Sequence, residues 1–185
     1  MAPRPFNVVS KTRHGLMIHN AFDTDVGRSL SLYSEFAQHE VAFLQQWLKT
    51  NDVVIDVGAN FGVHTLSFAH KVGYSGRVFS FEPQRLVCQA LCGTIALNSL
   101  FNVFVYHAAA GESEKKLNIA VLNPWQPLNI GSFELTGEIT QTTDYHEAVP
   151  VIPLDTLEID HCHMIKIDAE SMENIDRNPQ ANSVR

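Results

Sequence analysis

Asp56, Gly58, Asn60, Gly62 and Glu82 have the residue types and spacing of a ligand-binding corner. The apolar run Val53-Val54-Ile55 reaches Asp56 and runs on into Gly58-Ala59-Asn60-Phe61-Gly62. That pattern reads as a buried parallel strand whose carboxyl end enters a tight turn. His64-Thr65-Leu66-Ser67-Phe68-Ala69 follows, with apolar side chains at helical spacing. Strand, glycine turn and helix in this order make the ligand corner of an open α/β sheet. Glycines let the backbone come close to a ligand, and the amides at the helix start attract polar groups. Asn60 suits either a ligand contact or a turn residue that tolerates a left-handed backbone.

The glycine spacing narrows the choice of ligand. A pyrophosphate-binding loop needs Gly-x-Gly-x-x-Gly, whereas here only Gly58 and Gly62 are present. Asp56 at the strand end would repel a diphosphate and attract a cation, which favours S-adenosylmethionine with its sulfonium and ammonium groups. Arg77-Val78-Phe79-Ser80-Phe81 reads as a second strand, stopped by Pro83 directly after Glu82. Glu82 follows Gly58 by 24 positions, close to the roughly 20 at which an acid meets a ribose. A carboxylate has the acceptor capacity to take both ribose hydroxyls. Alone, either acid would read as a cap on a turn; their joint placement with the two glycines favours cofactor binding.

The run "DVVIDVGANFGVHTLSFAHKVGYSGRVFSFEP", followed by "NVFVYHAAAGE", "VPVIPLDTL" and "MIKIDAES", resembles the FkbM-type methyltransferases. The resemblance extends from about Tyr33 to Glu170, with four motifs in order. It implies a Rossmann-like class I methyltransferase sheet with helices on both faces, S-adenosylmethionine as cofactor and, by the habit of the family, transfer to a hydroxyl. Sugars, polyketide hydroxyls and other small molecules are all compatible acceptors. The resemblance also places Glu112, after "AAAG", near the adenine ring, and makes Asp168 and Glu170 candidates for positioning or deprotonating the acceptor. Ser171 departs from the pattern, standing where relatives carry glycine. A non-catalytic remnant with residual cofactor binding and a nucleotide-dependent oxidoreductase are the competing readings; the glycine spacing disfavours the latter.

The elements that must hold these residues follow an alternating pattern, which predicts a parallel sheet. Strands are expected at Val53–Val57, Val78–Phe81, Val103–His107 and Met164–Asp168. Residues 1–50 read as an extension with an extended pair around Phe6–Val9 and Leu16–Ile18, turn residues at Asp23–Gly27, and an amphipathic helix over Glu35–Leu48 leading into the first strand. Residues 51–170 form the cofactor-binding domain, with 115–150 an inserted hairpin and loop over the carboxyl edge of the sheet. Residues 171–185 read as a polar tail in place of further helices and strands. On that reading the sheet is truncated after its fourth strand, whose edge invites self-association and leaves the chain marginally stable and weak as an enzyme.

At 185 residues and 45% hydrophobic content the chain can bury one sizeable core. A formal net charge of −7 argues against binding to nucleic acid or an anionic membrane. No run of 18 apolar residues and no signal core are visible, so a cytoplasmic location is expected. Cys88, Cys92 and Cys162 read as small buried hydrophobes rather than a disulfide set. His161 and His163, with His107, His146, Asp168 and Glu170, lack the spacing of a metal centre, and no metal is expected.

Overall fold

A computed structural model describes residues 4–130 and 142–168. The chain opens with β1 (Asn7–Thr12) and β2 (Gly15–Asn20), an antiparallel hairpin, followed by α1 (Val26–Tyr33) and α2 (Gln38–Gln45). Then come β3 (Val53–Val57), α3 (Val63–Val72), β4 (Arg77–Phe81), α4 (Arg85–Leu97) and β5 (Val103–Tyr106). A short β6 (Ala109–Ala110), β7 (Lys115–Leu122) and β8 (Thr142–Ile152) form a second sheet, and β9 (Met164–Ile167) returns to the first.

The central sheet is parallel throughout, in the order β5-β4-β3-β9. Strand order reverses beside β3, so the carboxyl ends of β3 and β9 meet at a topological switch point, where open α/β sheets bind their ligands. β3 is buried at all five positions, which is why it reads as an unbroken apolar run rather than an alternation. Phe68, Ala69 and Val72 of α3 pack on Val54 and Val78. Leu91 and Ile95 of α4 extend the same layer over Val103 and Val105. The opposite face, built from Val53, Ile55, Val57, Phe79 and Phe81, is covered among the described residues by Ala108 and the segment Ile152, Leu154 and Leu157.

Two features of the N-terminal extension differ from the pattern read in the sequence. Turn residues were expected over Asp23–Gly27, but a helix begins at Val26. Asp23 Oδ1 accepts the Asp25 and Gly27 amides at 3.2 and 2.7 Å and so acts as the turn that starts it. The expected helix Glu35–Leu48 shortens to Gln38–Gln45, because Ala37 adopts a left-handed backbone at φ 47° that no continuing helix allows. Met17, Val26, Leu30 and Val41 bring the hairpin and both helices into one cluster with Phe61 of the glycine loop.

β7 and β8 pair antiparallel, and β6 lies on the far edge of β8. β8 leans on residues that follow the carboxyl end of β4, through an Arg85–Glu147 ion pair at 2.6 Å. No helix among the described residues is long and apolar enough to cross a membrane.

Candidate functional site

Register sets the heart of the site. Asp56 of β3 stands opposite Ser80 of β4 and Lys166 of β9, so three polar side chains form one row across three buried strands. Buried polar groups require partners. Thr65, in the first turn of α3, donates its hydroxyl to Asp56 Oδ2 at 2.6 Å and lies 2.9 Å from Ser80 Oγ. The helix is thereby tied to both strands through one side chain. Asp56 Oδ1 faces Lys166 Nζ at 3.4 Å, an ion pair without hydrogen-bond geometry. Lys166 also donates to the Gly58 carbonyl at 3.3 Å and reaches Asp168 Oδ2 at 3.4 Å. One ammonium group thus joins the strand end, the glycine turn and the acid beyond β9.

The glycine turn needs its glycines. Gly58, Asn60 and Gly62 all have positive φ, at 72°, 51° and 96°. A Cβ on Gly62 would stand 2.6 Å from Leu91 Cδ1 as well. Gly62 is the N-cap of α3 and has no side chain to cap with, so the first-turn amides of that helix receive no side-chain acceptor from it. Asn60 turns its own Oδ1 onto the Phe61 amide at 2.7 Å, in keeping with a turn residue.

Glu82 follows β4 and binds the turn from the other side. Its Oε2 accepts the Asn60 amide at 2.9 Å and its Oε1 the Gln84 amide at 2.8 Å. It is 6% exposed. Burial pushes its carboxyl from the ordinary 4.5 up to about 7, against the two amide hydrogen bonds; Asp56 raises it further and Lys166 lowers it. Each oxygen takes one amide and keeps acceptor capacity for one more donor, the pair of acceptors a ribose diol requires. The cradle therefore fits S-adenosylmethionine, with Glu82 for its hydroxyls and the backbone of Gly58 to Gly62 for close approach.

Of the residues singled out in the sequence, Asp56, Gly58, Asn60, Gly62 and Glu82 are brought together at the ends of β3 and β4. Asp56 lies behind the turn, 0% exposed and held by Thr65 and Lys166. Asp168 joins the group through Lys166, with its side chain 64% exposed. Glu112 stands apart, exposed on the loop between β6 and β7, in no hydrogen bond or ion pair with the others. Glu170 and Ser171 lie outside the described residues.

Lys166, Ser80, Thr65 and His64 belong to the site without a motif that marks them. Lysine between two isoleucines and serine within Val-Phe-Ser-Phe were the available signals, since a polar residue inside an apolar strand implies a buried partner. His64 is 8% exposed; burial pushes its imidazole below the ordinary value, while Asp56 raises it, Lys166 lowers it, and Glu40 and Asp168 raise it. Its Nε2 stands 3.5 Å from Glu40 Oε1 and has no hydrogen-bond partner among the described residues. His163 serves the backbone, its Nδ1 accepting the Val53 amide at 2.9 Å. Cys88 is buried, Cys162 half-buried and Cys92 exposed, and none is bridged.

A family model described as the methyltransferase FkbM domain matches residues 56–173, well over half of the chain. No curated protein matches the sequence at a significant level. Among solved structures, the chain is similar to a SAM-dependent O-methyltransferase from Thermotoga maritima (19% identity over 54% of this chain and 40% of that one, TM-score 0.38). It is also similar to a SAM-dependent methyltransferase from Aquifex aeolicus (26%, 45% and 43%, TM-score 0.37). A third is M. jannaschii TYW2 in complex with AdoMet (20%, 57% and 44%, TM-score 0.42). The matched segment spans less than half the length of each of these structures.

Proposed function

The chain belongs to the FkbM methyltransferase domain family, and from that premise we propose that it is an S-adenosylmethionine-dependent methyltransferase that methylates a hydroxyl of a small molecule or sugar. The observation that carries this reading is Glu82, a buried carboxyl at the carboxyl end of β4 that holds the glycine turn by one amide and keeps acceptor capacity on both oxygens.

When bound, the cofactor supplies a methyl group activated by its sulfonium. Glu82 accepts the ribose hydroxyls, and the positive-φ turn brings the Gly58 to Gly62 backbone against the ligand. Asp56 acts from behind, fixing Thr65 and Lys166 so that the turn keeps its shape. Asp168, exposed and within ion-pair reach of Lys166, would receive the proton of the acceptor hydroxyl as its oxygen gains the methyl group. Asp168 would then pass the proton to solvent. Most of the rate gain in such a transfer comes from holding the hydroxyl in line with the methyl group. Glu170 is a candidate for the same positioning role, and Glu112 for a contact at the adenine end.

Calorimetric titration with S-adenosylhomocysteine and with NAD tests the reading. Saturable binding of the first and none of the second is expected. Binding of NAD alone would replace the methyltransferase by an oxidoreductase.

A further inference from the structure

Beside the cofactor corner lies a cleft of about 450 Å³, open mouth included, between the N-terminal hairpin, the start of α4 and the β7–β8 pair. Its walls are mainly apolar, with Phe61, Leu86, Ile119 and Leu122 among them. Phe61 belongs to the glycine turn, so the cleft shares a wall with the corner. Asn7, Asn20, Gln84 and the pair Arg85 and Glu147 interrupt the apolar lining. Gln84 is 8% exposed, and its side-chain Nε2 is buried without a hydrogen-bond partner among the described residues, although its backbone amide is taken by Glu82. Arg85 and Glu147 face each other at 2.6 Å.

A buried amide donor left unpaired costs about 1–3 kcal/mol, a cost that a ligand oxygen removes. The Arg85 charge is already answered by Glu147, so the cleft offers no net charge to a phosphate or carboxylate. We propose that this cleft binds the methyl acceptor, and that the acceptor is a neutral, mainly apolar molecule whose oxygen accepts a hydrogen bond from Gln84 Nε2. The assignment of the ligand as methyl acceptor rests on the methyltransferase reading; the existence and chemistry of the binding site do not. Sugars without an apolar body fit it poorly, because their hydroxyls would meet phenyl and alkyl walls with few partners.

The test uses the full chain and two probes of one shape, 2-naphthol and 2-methylnaphthalene, with methyl glucoside as the polar comparison. Fluorescence titration should find naphthol preferred over methylnaphthalene by roughly 2- to 10-fold, the worth of one net hydrogen bond, and methyl glucoside bound least. Gln84→Met should erase that preference, and Leu86→Trp, which fills the cleft from a half-buried position, should abolish binding of both aromatics. S-adenosylhomocysteine should bind without displacing naphthol. Equal affinity for the two aromatics on the parent chain, a preference that survives Gln84→Met, or displacement of naphthol by S-adenosylhomocysteine would each overturn the proposal. Naphthol binding as described with no S-adenosylhomocysteine binding would sink the methyltransferase reading alone and leave the cleft standing.

Discussion

The titration of Glu82 links stability to ligand binding, and its sign can be worked from the structure. The folded carboxyl titrates at about 7 because burial outweighs the Gln84 and Asn60 amides, whereas an exposed one titrates at 4.5. Between those two pH values the folded chain holds a proton that the unfolded chain has lost. Stability from this group is therefore fully present below pH 4.5 and is lost as pH rises to about 7. The displacement is worth about 3 kcal/mol at 1.36 kcal/mol per pH unit. His19, His64 and His70 act in the opposite direction: burial lowers all three, so they lose stability as pH falls below the ordinary histidine value. The total curve mixes both slopes, and a variant isolates one. Glu82→Gln keeps an oxygen for one amide and turns an NH2 toward the other, a pH-independent cost of about 1–3 kcal/mol. Urea unfolding of parent and variant across this range should give a parent-minus-variant difference that falls by about 3 kcal/mol as pH climbs from 4.5 to 7. A difference that stays flat would refute the placement of that proton. Because the ribose hydroxyls need acceptors, S-adenosylhomocysteine affinity should rise over the same interval and level off above it, with protons released on binding.

Gly58→Val puts a β-branched residue at φ 72° and against the ligand path, so S-adenosylhomocysteine affinity should fall by about tenfold or more in calorimetry. Thr65→Val removes the hydroxyl shared by Asp56 and Ser80, and should cost about 1–3 kcal/mol in urea unfolding. Asp168→Asn should leave cofactor affinity nearly unchanged and lower turnover on a competent acceptor by roughly 10²–10⁴-fold; full turnover would remove Asp168 from the proton path. Ile165 and Ile167 on β9 are 49% and 63% exposed, and the strand has one described neighbour, β3. Light scattering should show self-association that Ile165→Lys with Ile167→Lys reverses.

What the sequence disclosed follows the reach of each signal. β3, the turn and β4 were legible because a parallel strand buried on both faces reads as an apolar run, and glycine marks the backbone that must take positive φ. α1 escaped because its eight residues include Gly27, Ser29 and Ser31, weak helix formers, and its start depends on Asp23 bonding the Gly27 amide. Apolar periodicity over Glu35–Leu48 predicts a longer helix than forms, because Phe43 and Trp47, 56% and 68% exposed, supply that periodicity without facing the core. His163 Nδ1 accepts a backbone amide 110 positions away, a partner that no local pattern reports.

Asp56 carries the most instructive difference between local pattern and register. A lone carboxylate at a strand end invites a cation, and on that ground a positively charged cofactor suits it. Register supplies a cation from the chain itself: Lys166, opposite Asp56 in β9, stands 3.4 Å from Oδ1 while Thr65 takes Oδ2. No local pattern reports a pairing between strands so far apart in sequence. The attraction that Asp56 can exert is therefore largely met inside the protein, and under the proposed function selection of the ligand falls to Glu82 and the backbone of the turn. Lys166→Met separates the two roles. The variant leaves a carboxylate buried with its ionic partner gone, which costs about 3–5 kcal/mol where the group stays charged. If Asp56 draws the cofactor's charge directly, both S-adenosylmethionine and S-adenosylhomocysteine, which share the ammonium group, should gain affinity in that variant, the former more for its sulfonium. If Asp56 only holds the turn, both should weaken together, and that is the expected result.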